Sequence, residues 1–115
     1  MSTDILETLY ETLLARKHAD GGTSYVASLY EKGTDKIAEK ILEEAEEFIV
    51  EARLLDENGE DPQIMKNIRS EAADLLFHMM VMLAHHDVPF TDVQAVLEQR
   101  FGISGHDEKA SRGKA

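Results

Sequence analysis

A chain of 115 residues, 43% hydrophobic and 30% charged, has the length and composition of one globular domain with one core. Its formal net charge of −11 argues against binding a nucleic-acid backbone, which needs a basic footprint. With no cysteine, the sequence has no disulfide, thiolate zinc site or cysteine nucleophile.

Only two prolines and seven glycines occur, which favours helix over strand, and the periodicity predicts five helices in an all-α fold. The N-terminal stretch MSTDILETLYETL is acidic and amphipathic, unlike a basic-then-apolar signal peptide. The first helix is predicted over about Asp4 to His18, with Thr3 as N-cap and Leu6, Leu9, Leu13 and Leu14 on one side. ADGGTS ends it. A short helix over roughly Tyr25 to Glu31 follows and stops at Gly33.

The third helix is expected from Thr34, as N-cap, to about Leu55, with Asn58-Gly59 as the turn beyond it. At about 100° per residue, Ile37, Ala38, Ile41, Leu42, Ala45, Phe48, Ile49 and Ala52 share one face, the expected core face. Glu39, Glu46 and Arg53 point the other way, into solvent. Lys40, Glu44, Glu47 and Glu51 form a stripe along one edge of the apolar face, with Glu43 one step further round. Taken alone, that stripe fits an ordinary amphipathic rim.

The fourth helix opens with Asp61-Pro62, a cap followed by proline at the first helical position, and runs to about His86. Its run from Leu75 to Ala84 is too short for a membrane span, which needs about 20 residues. The helix is apolar almost all round, so most of it is expected to be buried. Yet Glu71, Asp74 and His78 share one stripe, and an ionised carboxylate is rarely buried without a partner or a metal. In an antiparallel hairpin, Glu44 and Glu47 face Glu71 and Asp74. Carboxylates converging in this way repel unless cations sit between them. All-oxygen ligation selects a hard cation, Mg²⁺ or Mn²⁺, and Mg²⁺ often takes its remaining ligands from substrate phosphates. Chemistry on a phosphate ester or anhydride follows as the expectation. His78 is read as a hydrogen-bonded core histidine, with ligation or acid–base work as the alternative. His85 and His86 sit at a helix C-terminus, which favours a charged imidazole. DVPF then leads to a fifth helix, where Thr91 and Gln94 have capping-box spacing and Gly102 marks the end. The expected organisation is a domain over residues 1–103 and a partly irregular tail over 104–115.

The acids carry a resemblance. EEAEE followed by EAAD resembles the Glu-Glu-x-x-Glu … Glu-x-x-Asp signature of the all-α, MazG-like nucleotide pyrophosphatases. SYVASLYEKGTDKIAEKILEEAEE, SEAADLLFHMMVML and the tail SGHDEKASR narrow this, and the chain is similar to the phosphoribosyl-ATP pyrophosphatases. That family more often has tyrosine where this chain has Phe77. The resemblance implies a helical-hairpin core that forms a four-helix bundle in a homodimer. It implies a cytoplasmic enzyme of histidine biosynthesis that hydrolyses phosphoribosyl-ATP at the α–β anhydride. The products are phosphoribosyl-AMP and pyrophosphate; the attacking group is a metal-activated water and the cofactor Mg²⁺, for which Mn²⁺ substitutes. Carried over by residue, Glu44, Glu47, Glu71 and Asp74 hold the metal and Glu43 completes or supports the cluster. For the anionic substrate, Lys36 and Lys40 are the first candidate cations, Lys109 and Arg112 of the tail the second, and Arg16 a weaker one. The cysteine-dependent zinc cyclohydrolase that is sometimes fused to this family is not expected in the chain. A dimer also has a physical motive, since a two-helix core cannot by itself cover a nearly all-apolar fourth helix. The rival expectations are a (d)NTP or dUTP pyrophosphatase of the same superfamily, a di-iron carboxylate bundle, for which the Glu-x-x-His pairs are missing, and a non-enzymatic helical interaction module.

Overall fold

A computed structural model describes residues 3–22 and 24–102. Among them the order is α1 (Thr3–Ala15), a 3-10 turn (Arg16–His18), α2 (Tyr25–Lys32), α3 (Thr34–Asn58), α4 (Pro62–His85) and α5 (Phe90–Phe101). No strand occurs among the described residues, as expected for an all-α fold. The tail over 104–115, with Lys109 and Arg112, lies outside them.

The frame is the α3–α4 hairpin, whose two long helices pack along their length across a three-residue turn. Gly59 makes that turn at φ 71°, where other residues are strained. Asp61 then caps α4 by accepting from the amides of Gln63 at 2.8 Å and Ile64 at 3.2 Å. α1 lies across α4, α2 packs on α3, and α5 closes against α1 and α4. The buried core gathers at the α4 C-terminal half, from Tyr10 and Leu13 of α1, Leu29 of α2, Ile37 of α3, Met80, Val81 and Ala84 of α4, and Phe90 of α5. Tyr10 and Tyr30 donate their hydroxyls to the carbonyls of Val88 and Leu13, so the buried Tyr10 ring and the half-buried Tyr30 ring each have their polar end satisfied.

Several boundaries differ from the sequence expectation. Thr3 is already the first residue of α1, and the last turn before His18 tightens to 3-10. Ser24 caps α2 by accepting from the Ala27 amide. Thr34 is not a cap: Gly33, at φ 90°, precedes α3, and the Thr34 hydroxyl is hydrogen-bonded to His86 Nε2 at 3.0 Å. Thr91 and Gln94 form no capping box, because the cap position is Pro89, two residues earlier, and Thr91 already lies inside α5. α3 continues to Asn58, where the side chain donates back to the Leu54 carbonyl.

Burial also departs from expectation. On the predicted core face of α3 only Ile37 is fully buried, while Leu42 is 71% exposed and Ile49 45%. On α4, Ala72, Ala73, Asp74, Leu76 and Met79 are exposed. The physical reason is coverage: α1 lies over the α4 C-terminal half, and a hairpin alone screens only one face of each helix. His85 departs as well. Burial first, then the charges of His86 and Lys17, push its imidazole pKa down. The α4 C-terminus is served instead by Lys17, whose Nζ donates to the carbonyls of Ala84 and His85 and pairs with Asp87 at 2.8 Å.

A candidate metal centre on the helical hairpin

The third and fourth helices bring acids together at mid-hairpin. Carboxylate oxygens of Glu44, Glu47 and Glu71 all lie within 4.8 Å of one another. The cause is helical arithmetic: Glu44 and Glu47 are three residues apart on one stripe of α3, and antiparallel packing sets Glu71 opposite them. Glu44 is buried, at 8% exposure, and one of its oxygens has no hydrogen-bond partner. One oxygen of Glu71 is in the same condition. A buried, unpartnered carboxylate oxygen is costly.

The electrostatics agree. Glu44's pKa is raised, first by burial and then by the charges of Asp74 and Glu47. Glu71's is raised by burial, then by hydrogen bonding to and repulsion from Glu47, and by Glu44 and Asp74. Two carboxyl groups so close can share a proton but cannot both ionise cheaply. Oxygens bound octahedrally at about 2.1 Å around one Mg²⁺ lie roughly 3 to 4 Å apart. The all-oxygen donor set, its spacing and its orphaned atoms therefore fit a hard divalent cation.

Glu46 is exposed on the solvent side, as expected. Asp74 is exposed and outside the tight group, though its charge acts on both Glu44 and Glu71. Glu43 is turned to Lys40, which donates to it at 3.2 Å. Lys36 pairs with Glu39 at 2.7 Å. Both cations are thus engaged in i,i+3 surface pairs, which are weak and readily exchanged for a stronger anion. Glu51 shares the α3 stripe and has a buried oxygen without a partner; its signal in the sequence was the four-residue step from Glu47, which lies beyond the family signature.

His78 is buried, its Nδ1 3.0 Å from the Asp74 carbonyl and its Nε2 2.9 Å from the Tyr25 hydroxyl. A carbonyl only accepts, so in the neutral ring Nδ1 carries the proton and Nε2 accepts from Tyr25. Both nitrogens are used, as the structural reading of His78 required. Tyr25 was legible only as part of the SYVASLY stretch that carries the family resemblance, since its partner lies 53 residues away.

Fold and site together define an all-α hairpin protein built around an oxygen-only, cation-demanding carboxylate cluster. A family model described as phosphoribosyl-ATP pyrophosphohydrolase matches residues 6–101. A phosphoribosyl-ATP pyrophosphatase of Hydrogenovibrio crunogenus is 48% identical over 114 residues, covering 99% of this chain and 97% of the relative. Proteins of that name from Rhizorhabdus wittichii (49% identical, 97% of this chain and 98% of the relative) and Geobacter sulfurreducens (47%, 96% and 95%) match in the same way. The chain belongs to the phosphoribosyl-ATP pyrophosphohydrolase family.

Proposed function

We infer that the chain is a phosphoribosyl-ATP pyrophosphatase of histidine biosynthesis, acting in the cytoplasm through one domain over residues 1–103 and a tail over 104–115. Water attacks, the α–β anhydride breaks, and phosphoribosyl-AMP and pyrophosphate leave. The observation that carries this reading is the convergence of Glu44, Glu47 and Glu71 inside the segment matched by the family model.

Glu44, Glu47 and Glu71 would hold Mg²⁺ or Mn²⁺, with Asp74 completing the set from α4 and Glu43 supporting it from the margin. When bound, the ion polarises a phosphoryl oxygen and lowers the pKa of a bound water. The rest is positioning. Lys40 and Lys36 release Glu43 and Glu39 to take substrate phosphates, and Lys109 and Arg112 are the corresponding candidates in the tail. Tyr25 fixes the His78 ring, whose Nδ1 holds the Asp74 turn of α4. The direct test compares pyrophosphate release from phosphoribosyl-ATP with that from a dNTP panel in Mg²⁺. Phosphoribosyl-ATP is expected to turn over fastest; faster turnover of any dNTP would sink the assignment. Among the described residues no helix is long and apolar enough to cross a membrane.

The same reading includes a homodimer. Leu42, Ile49 and Val50 of α3 line a groove of about 460 Å³, and Leu76 and Met79 of α4 are 40% and 46% exposed. Pairing two hairpins into a four-helix bundle covers these side chains. Leu42→Glu is expected to convert a dimer into a monomer in sedimentation velocity, and an unchanged dimer would exclude this face.

A further inference from the structure

Between α1, α2 and α4 lies a cavity of about 350 Å³. Leu9, Val26 and Phe77 give it apolar walls, Tyr25 and Ser24 its polar edge, and Arg16 its one charge. The Arg16 side chain is exposed and makes no hydrogen bond or ion pair among the described residues. Ser24 is the cap of α2, so the positive end of that helix also opens here. A chain of contacts leads from the cavity towards the cluster. Tyr25 lines the cavity and holds His78 at 2.9 Å; Phe77 lines it and packs edge-on against the same ring, at 5.1 Å between centroids. His78 in turn holds the Asp74 carbonyl.

Resting on the proposed substrate, we propose that this cavity receives the phosphoribosyl arm, with Arg16 holding the arm's terminal phosphate and the apolar wall meeting the purine. Phosphoribosyl-ATP is charged at both ends, and a purine and two pentoses separate its triphosphate from the far phosphate. The carboxylate cluster repels any phosphate not neutralised by metal, so the far phosphate needs its own cation. Lys36 and Lys40 lie on α3 with Glu44, whereas Arg16 follows α1 and lines the cavity together with Tyr25 and Phe77. The arm is what distinguishes this substrate from ATP or a dNTP, which makes Arg16 a specificity-determining residue. It also gives a use to a guanidinium that the fold does not engage.

The test is equilibrium binding in EDTA, which removes the metal from the comparison. Wild type is expected to bind phosphoribosyl-AMP roughly 10- to 100-fold more tightly than AMP, the size of one charge-assisted contact. Arg16→Gln should abolish that difference without changing AMP binding, and Arg16→Lys should restore part of it. In turnover, Arg16→Gln should raise KM for phosphoribosyl-ATP by a similar factor, with kcat little changed. Equal losses on AMP and phosphoribosyl-AMP, or a retained preference in Arg16→Gln, would overturn the cavity assignment while leaving the pyrophosphatase reading intact. Wild type that hydrolysed dNTPs faster than phosphoribosyl-ATP would overturn the substrate, and this inference with it.

Discussion

Glu47→Gln is expected to lower kcat/KM for phosphoribosyl-ATP by about 10³ or more, and Asp74→Asn to act in the same direction. A bound cation stabilises transition-state charge by several kcal/mol, and each 1.36 kcal/mol is tenfold in rate. The carboxamide keeps the shape of the side chain but loses its charge and turns an NH₂ donor towards the ion. Glu47 and Asp74 are exposed in the single chain, so neither change leaves a new unsatisfied group in a core. The fold should therefore survive, with the melting temperature in EDTA unchanged or higher because repulsion around Glu44 and Glu71 is relieved. Loss of turnover together with retained stability separates a metal site from a structural role. An acidic interaction module makes the opposite forecast, with no metal-dependent activity to lose. Full turnover in both variants would refute the metal-cluster mechanism.

How much of this was legible in the sequence depends on how local the signal is. The division of Glu46 from Glu44 and Glu47 is a matter of helical angle, and the structure keeps it. The hairpin turn was readable because Asn58-Gly59 and Asp61-Pro62 act within a few residues of themselves. The misplaced caps at Thr34 and Thr91 have a different origin. The Thr34 hydroxyl is hydrogen-bonded to His86, a contact across 52 residues that no local pattern encodes. Lys17 on the α4 terminus and Tyr25 on His78 are likewise tertiary events. Periodicity found the apolar face of α3 but could not say what would cover it. Leu42 and Ile49 look identical in sequence whether they meet the same chain or another copy.

Acid should stabilise the metal-free protein locally, against the usual direction. Burial first, and then the charges of neighbouring acids, raise the carboxyl pKa of both Glu44 and Glu71 above the ordinary 4.5. A raised pKa in the folded state means that folding favours proton uptake. The contribution is fully present below the unfolded-state value and is lost as pH rises through the folded one. Lys17 and Lys36 lower the pKa of Asp87 and Glu39, which therefore contribute with the opposite sign and mask the effect in a simple pH scan. The comparison that isolates it sets wild type against Glu44→Gln/Glu71→Gln in EDTA. The double variant should melt higher at pH 8, and the gap should narrow as the pH falls and the wild-type carboxyls take up protons. Mn²⁺ with pyrophosphate should reverse the order at pH 8. At a hundredfold excess over Kd, ligand binding adds about 2.7 kcal/mol, on the order of 10 °C for a chain of this size. The double variant, without two of its three converging carboxylates, should gain little. Equal metal stabilisation in both proteins would place the cation elsewhere. A wild type that metal does not stabilise would leave the orphaned oxygens of Glu44 and Glu71 without the compensation their burial demands.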